Sequence, residues 1–227
     1  MSKDLSGKTL GIIHAAVFTA NVVQKFIDEI IPEVTVVHLG DDTIQNTNLA
    51  SEVGTIPKVN YFKFATYARF LEEAGADLIM LGCSTFNRAV EYARPMINTP
   101  MLQIDRPMMD LAVKTGNRVG LLCTLPSTVP PSERLLRQAA EDAQKKIEIK
   151  TVLSSEAFKA LRAGDPEKHN ELLLEEIDKL AKEVDSIAMA QVSMSALEPR
   201  LTNPPVPVYN SGRTGFLRAR EILESLE

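Results

Sequence analysis

The amino-acid sequence predicts an α/β fold of two pseudo-symmetric lobes, each a parallel sheet flanked by helices, with an active site in the cleft between them. Short apolar runs alternate with amphipathic stretches from end to end. Strands separated by helices pair in parallel, because a parallel connection needs a crossover. The strand runs are apolar throughout rather than alternating, as strands covered on both faces are. A loose internal repeat is the third observation: GIIHA has a counterpart in GLLCT, and LGCSTFNRA has one in AQVSMSALE. The expected lobes are residues 1–105 with 210–227, and residues 106–209.

The first strand is TLGIIH, 9–14. A helix over 18–31 follows, with Val22, Val23, Phe26, Ile27 and Ile30 near helical spacing. Pro32 limits it, since the residue before a proline avoids the α region. VTVVHL, 34–39, is β-branched and reads as the second strand. GDDTIQNTNLASEVGTIPK, 40–58, reads as a loop, longer than most strand-to-helix connections. Helical spacing returns over 59–74 through Phe62, Ala65, Tyr67, Phe70 and Leu71, and Gly75 is a C-terminal stop. DLIML then ends in the turn GCST, with a helix expected directly after it. TPMLQI (99–104), RVGLLC (118–123), IEIKTVL (147–153), SIAMAQ (186–191) and VPVYNS (206–211) read as strands. Helices are expected over 107–114, 133–145, 154–161, 166–184 and 212–226. In parallel sheets ligands bind beyond the carboxyl ends of the strands, so the turns that follow strands are the places to look for chemistry.

With 227 residues, 44% of them hydrophobic, the chain suits one large α/β domain or two lobes of about 100 residues each. The net charge of −5 comes with no basic block, which argues against a nucleic-acid partner. No apolar run approaches the roughly 18 residues that cross a bilayer, and the N-terminus has no signal-peptide cleavage pattern. The expectation is a cytoplasmic protein with no membrane partner. The two cysteines, Cys83 and Cys123, make no disulfide framework. No His/Cys/Asp/Glu spacing looks like a metal site and no glycine-rich phosphate loop is present, so neither a metal nor another cofactor is expected.

Cys83 lies on the strand-to-helix turn, where backbone N–H groups favour an anion and lower a thiol pKa. Ser84 and Thr85 add donors for a carboxylate. A buried structural cysteine is the competing reading of Cys83. Cys123 ends a strand, and the hydroxyl-rich turn Thr124, Ser127 and Thr128 after it can hold an anionic group, although its prolines are also ordinary loop residues. His14 follows a strand and suits an acid, a base or a substrate donor; a hydrogen-bonded structural histidine is the other reading. His38 falls inside a strand, and His169 reads as surface. Asp41 and Asp42 read as a solvated turn or as cleft lining.

GCST at 82–85, VGLLCTLPST at 119–128, the AQVSMS motif and VPVYNS resemble, in order and spacing, the aspartate/glutamate racemase superfamily, which includes hydantoin racemases, maleate isomerases and arylmalonate decarboxylases. The resemblance implies a cofactor-independent enzyme, an isomerase or a related lyase. In the racemases two cysteines face each other: one thiolate removes the proton beside a carboxylate and the opposing thiol returns one. Cys83 matches the first cysteine, Ser84 and Thr85 stand where Asn-Thr follows it, and Thr124, Ser127 and Thr128 match the carboxylate-binding loop. The second cysteine falls within Gln191–Ser193, where its position reads as Val192. Valine exchanges no proton, so two-thiol racemization is not carried over. One-sided deprotonation, isomerization through a thiol adduct and decarboxylation ending in protonation all stay open.

The expected substrate is a small carboxylate or amino acid. Cys83 would move the proton or attack. Ser84, Thr85, Thr124, Ser127 and Thr128 would hold carboxylate oxygens, Ser193 or Ser195 would add to the anion cradle, and His14 and Asn210 would form walls. The resemblance also implies a homodimer or higher homo-oligomer. The alternative is a non-catalytic carboxylate-binding protein that kept the cleft.

Overall fold

The computed structural model describes residues 3–226. The chain divides into two compact units, Met1–Ile104 with Gly212–Glu227, and Asp105–Ser211. Each is built on a four-stranded sheet, parallel throughout and covered by helices.

In the first unit the sheet order is β2-β1-β3-β4, from β1 (Thr9–His14), β2 (Thr35–Gly40), β3 (Leu78–Leu81) and β4 (Met101–Gln103). Ile13, Ile79 and Leu81 point to one face, where α3 (Lys58–Glu73) and α4 (Ala89–Ala93) cover them with Phe64, Ala68, Leu71, Ala89 and Val90. The period of two puts Leu10, Ile12, Leu78 and Met80 on the other face, all fully buried. Helices α1 (Thr19–Ile30) and α9 (Ser211–Ser225) meet through Phe26 and Phe216, whose rings stack with centroids 6.2 Å apart.

In the second unit the order is β6-β5-β7-β8, from β5 (Arg118–Cys123), β6 (Glu148–Leu153), β7 (Ser186–Met189) and β8 (Val208–Asn210). Val119, Leu121, Cys123 and Ala188 pack on α5 (Arg106–Thr115) and α6 (Val129–Asp142). Leu122, Ile187 and Met189 pack on α7 (Ser155–Arg162) and α8 (Pro166–Leu180). Apolar residues on both faces are why these strands are continuous apolar runs.

The start of each central strand pair is stapled the same way. The Asp77 carboxylate accepts the Thr9 N–H at 2.7 Å, and the Asp77 N–H donates to the Thr9 carbonyl at 2.8 Å. Asp185 accepts from Asn117 N–H at 3.0 Å and Arg118 N–H at 2.9 Å, and its own N–H donates to the Arg118 carbonyl at 2.7 Å. Gly116 leaves room for this second staple, since a Cβ there would sit 2.2 Å from Asp185 Cβ. Gly116→Ala is therefore expected to lower stability by about 1–3 kcal/mol in urea unfolding, the usual cost of forced overpacking.

Three expectations are corrected. The 40–58 loop contains a helix, α2 (Asp42–Ala50), capped by the Asp41 side chain accepting the Thr43 N–H at 2.9 Å. His169 is buried, with its Nδ1 2.8 Å from the Ala157 carbonyl, rather than on the surface. On α3 the buried residues are Asn60, Phe64, Ala68 and Leu71, whereas Phe62 and Phe70 are exposed.

Candidate active site

The candidate residues of the first unit gather at the carboxyl ends of β1 and β3. The Gly82 N–H donates to the Ile13 carbonyl at 2.9 Å, continuing the ladder one residue past β3. His14 lies against Gly82, where a Cβ would be in ordinary van der Waals contact, 3.4 Å from His14 Nδ1. Cys83 follows, half-buried and packed against the α3–α4 core. Ser84 is buried and Thr85 half-buried. A turn spans 84–88, and Gln103 ties it to β4 by donating from Nε2 to the Asn87 carbonyl at 2.8 Å. The helix expected directly after GCST begins only at Ala89 and has 5 residues, so a helix N-terminus is not what faces the Cys83 thiol.

His14 is buried, and both ring nitrogens are engaged. The Thr19 hydroxyl donates to the Ala16 carbonyl at 2.7 Å, so it accepts from His14 Nδ1–H, also at 2.7 Å. That fixes the His14 tautomer and leaves Nε2 as an acceptor, filled by Nδ1–H of His38 at 2.9 Å. His14 is therefore a hydrogen-bonded wall at the end of β1. His38, an edge-strand residue whose sequence context gave no hint of a role, is its partner. Burial, and then the charge of His38, push the His14 pKa down from 6.5 to about 4; burial lowers His38 as well.

This pair makes stability depend on pH. Unfolded, His14 takes up its proton near 6.5; folded, only near 4. Between those values the unfolded chain binds more protons, so the contribution is present above 6.5 and is lost as pH falls toward 4. Urea unfolding at pH 7 and pH 4.5 should show a fall of about 2–2.5 kcal/mol from His14. His14→Asn should flatten much of that slope.

Asp41, on the turn after β2, accepts from the Tyr67 hydroxyl at 2.7 Å and from Lys63 at 3.1 Å, as well as from the Thr43 hydroxyl. Burial raises its pKa, but hydrogen bonds from Thr43, Tyr67 and Lys63 outweigh that and hold it at about 2. It is a structural cap.

The second unit assembles its candidates at the ends of β5, β7 and β8. Cys123 is fully buried, and burial followed by the charges of Glu133 and Asp105 pushes it up to about 12. It stays a thiol at neutral pH and belongs to the core. Thr124 and Thr128 are buried, and Ser127 is half-buried with an inward Oγ that makes no hydrogen bond among the described residues. Ser127 and Thr128 lie in a 3₁₀ turn, Pro126–Thr128, that leads into α6. Ser193 is half-buried in the 3₁₀ segment Val192–Arg200, and Asn210 is buried at the end of β8.

Gln191 is the residue that sequence reasoning missed. Its Oε1 accepts the Thr124 N–H at 2.7 Å and its Nε2 donates to the Thr124 hydroxyl at 2.8 Å. The strand registers also correct the internal repeat. Leu81 pairs with Ile13, the penultimate residue of β1, and Met189 pairs with Leu122, the penultimate residue of β5. One residue on, the Gly82 N–H meets the Ile13 carbonyl and the Ala190 N–H meets the Leu122 carbonyl, each at 2.9 Å. Gly82 thus corresponds to Ala190, and Cys83 to Gln191 rather than to Val192. Matching the shared serine of LGCS and AQVS shifts the repeat by one residue; backbone pairing sets it right.

The family model for Asp/Glu/Hydantoin racemase matches residues 14–219. The chain belongs to the Asp/Glu/hydantoin racemase family. Solved structures similar to this family member share its fold. An aspartate racemase homologue from Pyrococcus horikoshii OT3 is 19% identical, with a TM-score of 0.72 over 96% of this chain and 100% of that one. A glutamate racemase from Bacillus anthracis is 18% identical, TM-score 0.70, over 96% and 82%. An allantoin racemase from Klebsiella pneumoniae is 17% identical, TM-score 0.67, over 94% and 86%. A search of curated protein sequences gives no significant match. Among the described residues of this racemase-family chain, no helix is long and apolar enough to cross a membrane, and no group of three or more His, Cys, Asp or Glu side chains is placed to hold a metal ion.

Proposed function

We propose that this racemase-family chain is a cofactor-independent enzyme that moves a proton on a small carboxylate, with Cys83 as its only thiol acid or base. The single observation that carries this reading is the register: the position equivalent to Cys83 in the second unit holds Gln191, and the other cysteine, Cys123, is sealed in the core. An amide takes up or gives no proton near neutral pH. One thiol serves one face of the substrate, so a proton removed by Cys83 returns to the face it left. The expected reaction is α-proton exchange with retention, or protonation of an enolate formed by decarboxylation. Ser84, Thr85, Thr124, Ser127 and Thr128 are the hydroxyls proposed to bind carboxylate oxygens, in keeping with electrostatic stabilisation of an enolate-like charge.

The same register favours a second reading, a carboxylate binder that lost the reaction with its second thiol. Proton NMR in deuterated water, across amino acids, malonates and maleate, separates the two. Deuterium at Cα with unchanged configuration, or loss of carbon dioxide, supports the enzyme. A ligand that raises the melting temperature while none of the panel exchanges or is consumed supports the binder.

A further inference from the structure

We infer that Gln191 is a positioning residue that holds the Thr124 hydroxyl as a one-way hydrogen-bond donor toward a carboxylate; the inference rests on the carboxylate reading above. A backbone N–H only donates, so the group facing Thr124 N must be the Gln191 amide oxygen. That settles the orientation of the amide and makes the atom facing Thr124 Oγ1 its NH₂. Thr124 Oγ1 is therefore an acceptor toward Gln191, and its own proton must go elsewhere. Among the described residues no protein group takes that proton. Both partners are buried, Thr124 at 1% and Gln191 at 8% exposure, so water does not freely replace the missing acceptor. Three residues on, the buried Ser127 Oγ is likewise without a hydrogen bond among the described residues. Two buried hydroxyls on one turn with unspent donors fit a ligand that only accepts, which is the character of an ionised carboxylate.

The clamp also restricts what the turn can offer. The Thr124 N–H is consumed by Gln191, and Pro130 and Pro131 have no N–H to give at the start of α6. The Thr124 hydroxyl is what this residue can still donate, and its direction is set by the amide. A carboxyl group at position 191 would reverse that direction. Ionised, it accepts the Thr124 hydroxyl proton and turns the oxygen lone pairs toward the ligand. Protonated, it can donate to Thr124 Oγ1 as the amide does.

The test uses malonate, maleate and aspartate as probes, with affinity read from thermal shift and from titration between pH 5 and pH 8. Wild type is expected to be stabilised by at least one probe. Gln191→Glu should bind it about 100-fold more weakly at pH 8, the size expected for losing a charge-assisted hydrogen bond and gaining a like charge, and should recover as pH falls. A structural role alone would not produce that pH-dependent recovery. Thr124→Val keeps the backbone bond to Gln191 and removes the donor; it should weaken binding at every pH, and Thr124→Ser should restore it. This pair decides the matter should Gln191→Glu not fold. If a probe stabilises wild type, Gln191→Glu and Thr124→Val equally at pH 8, the positioning role is overturned while the carboxylate reading stands. If no probe stabilises wild type, both fall together.

Discussion

Cys83→Ala is expected to reduce α-proton exchange or decarboxylation by about 100- to 10,000-fold, the range over which a positioned acid or base usually acts. Within each unit the other candidate acids and bases are excluded by their contacts. His14 has both ring nitrogens committed, to Thr19 and to His38. Cys123 is a buried thiol held at about 12. Gln191 is an amide locked to Thr124. Cys83 is the half-buried thiol that remains at a strand end, on a turn anchored by Gln103. Cys83→Ser should be nearly as inactive, because a serine hydroxyl is a weak base without an activating partner. Both variants should still fold, losing about 0.5–3 kcal/mol, the usual range for a single substitution, because Cys83 is half-buried against the α3–α4 core. An alanine variant that retains wild-type exchange would remove Cys83 from the mechanism.

The largest expected effect on stability is at Phe216. Phe216→Ala should cost about 3–5 kcal/mol, through lost burial and an unfilled cavity. Phe216 is fully buried and stacked on Phe26, also fully buried. The helix approaches closely around it. A Cβ at Gly212 would lie 2.3 Å from the Phe26 ring, and one at Gly215 would lie 2.9 Å from the Ile104 carbonyl. Neighbours packed this tightly have little freedom to collapse into the space a phenyl ring leaves. Against a usual total of about 5–15 kcal/mol the loss is large, and urea unfolding would show it as a lower midpoint with an unchanged slope.

The strands were legible in the sequence because two-sided burial writes them as unbroken apolar runs, and TLGIIH and RVGLLC fall where they were expected. Helix α2 was not. DTIQNTNLA has weak helix formers and buries only Ile44 and Asn48. It is held by polar contacts from the next helix, α3: Asn60 Nδ2 donates to the Asn48 side chain at 2.7 Å and to the Ile44 carbonyl at 3.3 Å. At the candidate site, Cys83 and the Thr124 turn stood out by residue type. Gln191 did not, because its role depends on which residue of β7 lies beside β5, and letter matching cannot resolve a shift of one. The His14–His38 pair was hidden for a similar reason, since the two histidines are 24 positions apart on strands that lie side by side.

The unequal continuity of the two units has a consequence for biosynthesis. Asp105–Ser211 is one unbroken stretch, whereas the other unit takes its α9 from beyond it. As the chain leaves the ribosome, the half translated first is the half completed last. Its α1 face, with Phe26, must wait through the emergence of the whole second sheet before Phe216 arrives to cover it. The usual order of N-terminal domain first is thus inverted, and the apolar face of α1 stays uncovered until α9 emerges.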